Sequence, residues 1–517
     1  MKKILTLLLM FILSLSIVGC NEEETEKTPE PTIITRGDIG LAYAKLDKTV
    51  YSETDTINVE LFNVVPTDYV GIFDVEGEPG KNKTIKKVKV GDATTMSFSV
   101  SELKLESMKE YAVCIYQNKT FYSFDRVEFI VSDNDSTDYK VSDVKLTVET
   151  NSNLKTPTIT ITPSVTTKLT YRLYWANNNV RLADYDALKT IVCEGSSFDV
   201  KLNTNIYMPK EANQIEVTVL EGKTTSYFLD LNEELKLAES KHTGDFQMFT
   251  DIHANDTSLY THWHSHLYNA FLDTRLLYPN TSGIFTTGDN TDMGGLNHYS
   301  LFNKIADEAF GEEKPDIYLG FGNHDYMYYL EEVGGYNEAV RIFKQQSGAE
   351  NSYYTKTVNG YKYIFLCSDI KEHEGGIEQE QIDWFKNELK SVDKNEFAFV
   401  ILHQPILDTV AGSLKNQEKV GIANGDKIRE ILKDDPNVVM FNGHSHYALY
   451  EEQNILFGQG KEANYVNCGA VAYLRQNNEY GSNATYIEVY EDYILVRGRD
   501  IVTSKWISNA QYVIYKN

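Results

Sequence analysis

In the second half of the chain, short apolar runs stop abruptly at small clusters of polar residues. FQMFT runs into Asp251-Ile252-His253, GIFTT into Gly288-Asp289-Asn290, and DIYLGF into Gly322-Asn323-His324-Asp325. FAFVIL then runs into His403-Gln404-Pro405, and VVMF into Asn442-Gly443-His444-Ser445-His446. A short apolar run bounded by turn residues predicts a buried strand. In layered α/β proteins, ligands gather beyond the carboxyl ends of such strands. Five strand ends therefore deliver His, Asp and Asn toward one place. Helix-like segments lie between them at His264 to Tyr278, Tyr299 to Phe310, Asn337 to Gln346, Ile377 to Lys390 and Asp426 to Lys433, and a strand-rich tail follows. This alternation predicts an α/β sandwich of two mixed sheets flanked by helices over residues 243–517.

The first half has a different rhythm. From 37 to 135, runs such as TINVELF, YVGIF, TMSFSV, YAVCIY and VEFIV are punctuated by Gly, Pro, Asp and Asn, and a second set spans 138–232. Strands at that spacing predict two tandem all-β sandwiches. The stretch Asp68-Tyr69-Val70-Gly71-Ile72-Phe73 is similar to segments of immunoglobulin-like modules in bacterial surface proteins, which implies that fold for the sandwiches. Tyr171 and Trp175 share a strand face with Leu173 between them, a row expected in a core rather than on a sugar-binding face. These blocks are expected to hold the C-terminal part away from a membrane.

At 517 residues the chain needs several cores. A formal net charge of -26 argues against a nucleic-acid binder, since phosphate neutralisation needs clustered Lys and Arg. An anionic substrate must be attracted locally, and bound cations would serve. Lys2 and Lys3 lead an apolar run that is short for a membrane span and ends Val18-Gly19-Cys20. It resembles a bacterial lipoprotein signal, residues 1–19, with Cys20 as the lipidated residue. The acidic, Thr- and Pro-containing stretch 20–36 then reads as a tether. The mature protein is expected outside the cytoplasmic membrane, held to it through lipid on Cys20. Cys114, Cys193, Cys367 and Cys468 show no CxxC spacing, so neither a disulfide framework nor a thiolate zinc site is indicated.

The ordered set DxH, GD, GNHD, H and GHxH, with gaps of 38, 34, 80 and 41 residues from Asp251 to Asp289, Asn323, His403 and His444, resembles the calcineurin-like metallophosphoesterases. Independently of that resemblance, two carboxylates, four imidazoles and an amide suit a pair of divalent transition-metal ions such as Mn, Fe or Zn better than Ca or Mg. In an extended strand, Asp251 and His253 would point to one side. The resemblance places Asp251, His253 and His446 on one ion, Asn323, His403 and His444 on the other, and Asp289 between them. It also implies hydrolysis of phosphomono- or phosphodiesters by a hydroxide bridging the ions. His324 is the candidate catalytic proton donor, with Asp325 orienting its ring. Gly322 and Gly443 would let the backbone approach closely.

Other histidines are less telling. His262, His264 and His266 lack a carboxylate partner and read as a polar helix start near the cleft rim, and His298 could touch substrate. Asp292 stands where purple acid phosphatases carry Tyr, so an iron-tyrosinate centre is not expected. The rival functional reading is a surface-binding lipoprotein acting through its β-sandwiches, with a vestigial phosphoesterase domain.

Overall fold

A computed structural model describes residues 36–517 apart from 79–81, 118–121, 133–136, 223–224, 232, 258–260, 330–334, 371–374, 418–420, 452 and 476–480. The signal segment, the tether and Cys20 lie outside the described residues. No helix among those described is long and apolar enough to cross a membrane.

Two six-stranded mixed sheets form the C-terminal part. One has the order Ile317–Tyr318, Ile284–Thr286, His242–Phe249, Asn483–Tyr490, Tyr493–Asp500, Lys505–Tyr515; its first three strands are parallel and the rest antiparallel. The other runs Tyr354–Val358, Tyr361–Phe365, Ala398–Ile401, Val438–Asn442, Asn464–Asn467, Ile455–Leu456, with four central parallel strands between antiparallel edges. Side chains alternate between two buried faces. Phe246, Met248, Phe285, Phe399, Ile401, Val439 and Phe441 meet between the sheets, with Phe246 at the centre of an edge-to-face aromatic cluster. Phe249 and Ile284 turn outward to helices Thr261–Leu277 and Leu296–Phe310. Ala398, Val400, Val438 and Met440 turn the other way, to Gln379–Lys390 and Gly425–Leu432. Burial on both faces is why these strands read as continuous apolar runs rather than alternating ones.

The first half folds as four sheets. Tyr43–Leu46, Thr56–Phe62 and Thr95–Ser99 face a five-stranded sheet across a core that includes Tyr51, Ile57, Val59, Val70, Ile72, Val113 and Phe129. Every second residue of Thr56–Phe62 from Ile57 on is buried, as a sheet with one wet face requires. The next block pairs Phe198–Lys201, Leu154–Pro163 and Val141–Asn151 in one sheet and builds a second around Leu169–Asn177. Tyr171, Leu173 and Trp175 sit in its core, Trp175 fully buried.

Neither block is a separate bead. The core of the second is continuous with that under helices Thr261–Leu277 and Leu296–Phe310. Its loops also bridge to the last strand of the C-terminal part, Tyr185 to Trp506 and Ile206 to Tyr512. Asn205 exchanges hydrogen bonds with Val513, and the Ser508 amide donates to Asp186 Oδ1 at 2.6 Å. The first block docks as well: Tyr122 stacks on Tyr268 with centroids 4.2 Å apart, and Lys505 pairs with Glu128. The spacing of strands gave no sign of this docking, because the contacts join residues hundreds of positions apart.

Candidate metal centre

Because the strands nearest the site run parallel within each sheet, their carboxyl ends lie along one edge. Past those ends the chain enters an uncommon conformation. Asp251 (φ 52), His253 (φ 48), Asp289 (φ 51), His444 (φ 66) and His446 (φ 56) are all left-handed. The reading of Asp251 and His253 as i and i+2 of an extended strand is corrected accordingly: the strand ends at Phe249. Left-handed backbone costs a non-glycine residue on the order of 1 kcal/mol, and short polar side chains tolerate it best. Here the surrounding hydrogen bonds hold it. The amides of Asp251 and His253 donate to Gly288 O (3.2 Å) and Asp289 O (3.0 Å), and the Ala472 amide donates to Asp251 O at 2.9 Å. Gly322 and Gly443 are needed for the approach: a Cβ on Gly322 would lie 2.2 Å from Asp289 Oδ1, and one on Gly443 would lie 1.8 Å from Thr250 Oγ1.

All seven side chains expected at the metals converge. Asp251 Oδ1 is 3.0 Å from His446 Nε2 and 3.8 Å from His403 Nε2; Asp289 Oδ2 is 3.0 Å from His403 Nε2 and 3.9 Å from His253 Nε2. His253 and His446 face each other Nε2 to Nε2 at 3.2 Å, and Asn323 Oδ1 lies 2.9 Å from His444 Nδ1. Within 4.8 Å of one another lie donor atoms of Asp251, His253 and His446, and of Asp289, His403 and His444; His324 joins His253 and Asp289 in a third such group. Asp251 Oδ1 and His403 Nε2 are buried without a hydrogen-bond partner among the described residues. Buried polar atoms are ordinarily satisfied. Orphaned oxygen and nitrogen lone pairs facing one another fit bound cations, and their mix of imidazole and carboxylate fits a transition metal.

The outer ring nitrogens are anchored. His446 Nδ1 faces Tyr473 O at 2.9 Å, His403 Nδ1 faces Thr287 Oγ1 at 3.4 Å, and His253 Nδ1 faces Asp292 Oδ1 at 3.3 Å. Such partners fix ring orientation and leave Nε2 directed at the site. The carboxylates also gain from these rings. Burial opposes their ionisation, yet His446 and His403 hold Asp251, and His403 and His324 hold Asp289, well below the usual carboxylate range.

His324 lies at the rim of the cluster, its amide donating to Asp289 Oδ1 at 2.8 Å. Its Nδ1 faces Asp292, 3.0 Å from the carbonyl oxygen and 3.4 Å from Oδ1. Burial works against a charge on His324, but Asp289 and Asp292 outweigh it and raise its pKa to about 9. Asp325 does not orient this ring, which corrects the role expected for it. It is buried beneath the loop, where it accepts from the amides of Gly322 (3.1 Å) and Thr291 (3.1 Å), from Thr291 Oγ1 (2.9 Å) and from Tyr299 OH (3.1 Å). It ties the GNHD turn to the loop carrying Asp289.

No role at the site was expected for Asn290 or for the Tyr473 carbonyl, and Asp292 was expected only to bind a nearby water or to turn its loop. Asn290 Nδ2 donates to Gly320 O at 2.7 Å and to Asp325 Oδ2 at 3.2 Å, locking the two loops together. Position three after Asp289 was the one available signal for Asp292. The helix Thr261–Leu277 begins early enough to include His262, His264 and His266. His262 and His266 are buried with rings 5.9 Å apart, and His266 Nδ1 faces Ala472 O at 2.8 Å, a structural setting rather than an open rim. His298 is buried with Nε2 3.4 Å from Asp256 Oδ1. Cys367 and Cys468 are unbridged, in different core clusters.

Two mixed sheets covered by helices thus carry a buried imidazole and carboxylate cluster at their strand ends. Residues 246–448 match the family described as calcineurin-like phosphoesterase, and this part of the chain is a domain of that family. A probable cyclic nucleotide phosphodiesterase of Rhodococcus erythropolis is 25% identical over 214 residues, 38% of this chain and 64% of its own length. A probable glycerophosphodiester phosphodiesterase of Arcobacter nitrofigilis is 28% identical over 150 residues, 28% of this chain and 49% of its own. The chain thus spans less than two thirds of either relative. Among solved structures, Vps29 of Entamoeba histolytica complexed with zinc is 12% identical, covers 53% of this chain and 99% of its own, and has a TM-score of 0.25. A cold-active protein-tyrosine phosphatase of a psychrophilic Shewanella is also 12% identical, covers 60% and 98%, and has a TM-score of 0.25.

Proposed function

We propose that the protein is a phosphoric ester hydrolase that uses two divalent transition-metal ions, with phosphodiesters as its first substrate class. The observation that carries this reading is the meeting of seven side chains from five strand ends, with buried donor atoms that have no hydrogen-bond partner among the described residues. Both curated relatives bear phosphodiesterase names, which favours a diester over a monoester. Asp251, His253 and His446 would hold one ion, Asn323, His403 and His444 the second, with Asp289 shared. When bound, such a pair supplies Lewis acidity toward phosphoryl oxygens and a nucleophilic water at neutral pH.

The chain's own groups do the rest. His324, charged at neutral pH through Asp289 and Asp292, stands beside the cluster with Nδ1 occupied, so its Nε2 proton is the one free to pass to the departing alkoxide. Asp292 keeps that ring charged and oriented while bracing His253 from behind. Asp325 and Asn290 hold the two loops in register, so that His324 and Asp289 stay together.

The completeness of the donor set speaks for an enzyme over a vestigial domain. The paired N-terminal sheets, with the resemblance at Asp68 to Phe73, support an immunoglobulin-like reading of both β-blocks. The segment around Gly19-Cys20 supports a lipoprotein anchored through Cys20 and facing away from the cytoplasm. Turnover of bis(p-nitrophenyl) phosphate by purified protein, lost on chelation, restored by Mn, Fe or Zn and abolished in Asp289→Asn, is the expected result. No turnover with any of these metals, or full activity in Asp289→Asn, would overturn the reading.

A further inference from the structure

Two rings stand against the metal centre without belonging to it. Trp263 and Tyr473 are stacked, centroids 5.1 Å apart and planes 24° from parallel. Tyr473 lies 4.2 Å from the His446 ring and 5.6 Å from the His253 ring, and Trp263 lies 5.8 Å from His253. They come from distant segments. Trp263 is in the first turn of helix Thr261–Leu277, and Tyr473 is in the loop whose carbonyl anchors His446. Most large aromatic side chains of this part of the chain are fully buried between sheets and helices, but these two are only partly so. A partly exposed aromatic pair set against two expected ligand rings, His446 and His253, invites a third flat group.

The surroundings have the same character. Among the described residues C-terminal to residue 242, the most exposed large apolar side chains are Met293, Leu296, Tyr328, Leu407 and Tyr450, and each follows an expected ligand by seven positions or fewer in sequence. Tyr328 is 48% exposed with its ring 6.1 Å from His324. An exposed aromatic ring beside a polar centre is a group that a ligand-binding face presents.

We propose that Trp263 and Tyr473 form a stacking surface that selects phosphate esters carrying a flat aromatic or heteroaromatic group next to phosphorus. This deepens the phosphoesterase reading and rests on it. One stacked ring is worth roughly ten- to a hundredfold in affinity, so the surface would govern KM and leave the chemical step to the metals and His324.

The test is calorimetric binding of phenylphosphonate and methylphosphonate to metal-loaded protein, with metal content and thermal melting checked for each variant. Wild type should prefer phenylphosphonate by about tenfold or more. In Trp263→Ala that preference should collapse toward unity, and in Trp263→Phe it should largely return. Equal affinity of wild type for the two probes, or an unchanged preference in Trp263→Ala, overturns the proposal while leaving ester hydrolysis standing. Binding of neither probe, together with no turnover of any ester, overturns the phosphoesterase reading and this proposal with it.

Discussion

Replacing Asp292 by Asn keeps the size of the side chain and removes its charge, which isolates the support it gives His324. The carboxylate Oδ1 lies 3.4 Å from His324 Nδ1 and 3.3 Å from His253 Nδ1. At that separation and an effective dielectric of about 20, the bare attraction for a charged His324 is ~5 kcal/mol. Asp292 is partly exposed, so solvent screens much of this. A charged hydrogen bond of ~1.5–3 kcal/mol net is the better guide. That corresponds to about one to two pKa units on His324. The sign is fixed: His324 is raised to about 9, so its proton is present at neutral pH and lost as pH rises through that value. Without the Asp292 charge, the alkaline limb should move to lower pH by about that amount. The assay is kcat against pH at saturating metal, for one diester with an alkyl leaving group and one with p-nitrophenolate. The alkoxide needs a proton and the nitrophenolate does not. Asp292→Asn should therefore slow the alkyl ester roughly two- to tenfold near pH 8, as the protonated share of His324 falls, and the nitrophenyl ester far less. Equal losses on both substrates, with metal content unchanged, would refute a proton-donating role for His324 and a supporting role for Asp292.

Two further outcomes follow from groups away from the site. Burial, reinforced by Glu488, raises Asp245 to about 7, and its Oδ1 has no hydrogen-bond partner among the described residues. The folded protein therefore retains a proton that the unfolded chain has already lost between about pH 4 and 7, and stability falls as pH rises across that window. Asp245→Asn should raise the melting temperature by an amount that grows from pH 4 and levels off above 7, and a difference independent of pH would count against this. An excised 243–517 fragment should be poorly soluble, with melting broadened or absent, because the face of helices Thr261–Leu277 and Leu296–Phe310 that shares a core with the second β-block would be bared. A soluble, cooperatively melting fragment would show that the shared core contributes little.

The strands around the site were legible because both faces of each are buried. FAFVIL and VVMF could only be interior, and the polar residues that stop them could only emerge at one edge. The same pattern could not show that Asp251, His253, Asp289, His444 and His446 turn left-handed, since Asp and His carry no pattern that separates a strand end from such a turn. Asp325 was misread for a related reason. Adjacency in GNHD suggested contact with His324, but successive side chains diverge in a turn, and Asp325 points beneath the loop while Asp292, 32 positions earlier in the chain, meets the ring. The docking of the β-blocks rests on Tyr122, Asp186 and Asn205 meeting residues far along the chain, which local periodicity cannot register.

The bridges from Tyr185 and Ile206 to the Lys505–Tyr515 strand set an order on biogenesis. Domains ordinarily fold as they leave the ribosome, N-terminal first. Here loops of the second β-block bond to a strand synthesised some three hundred residues later, so these contacts can form only after Lys505–Tyr515 has emerged.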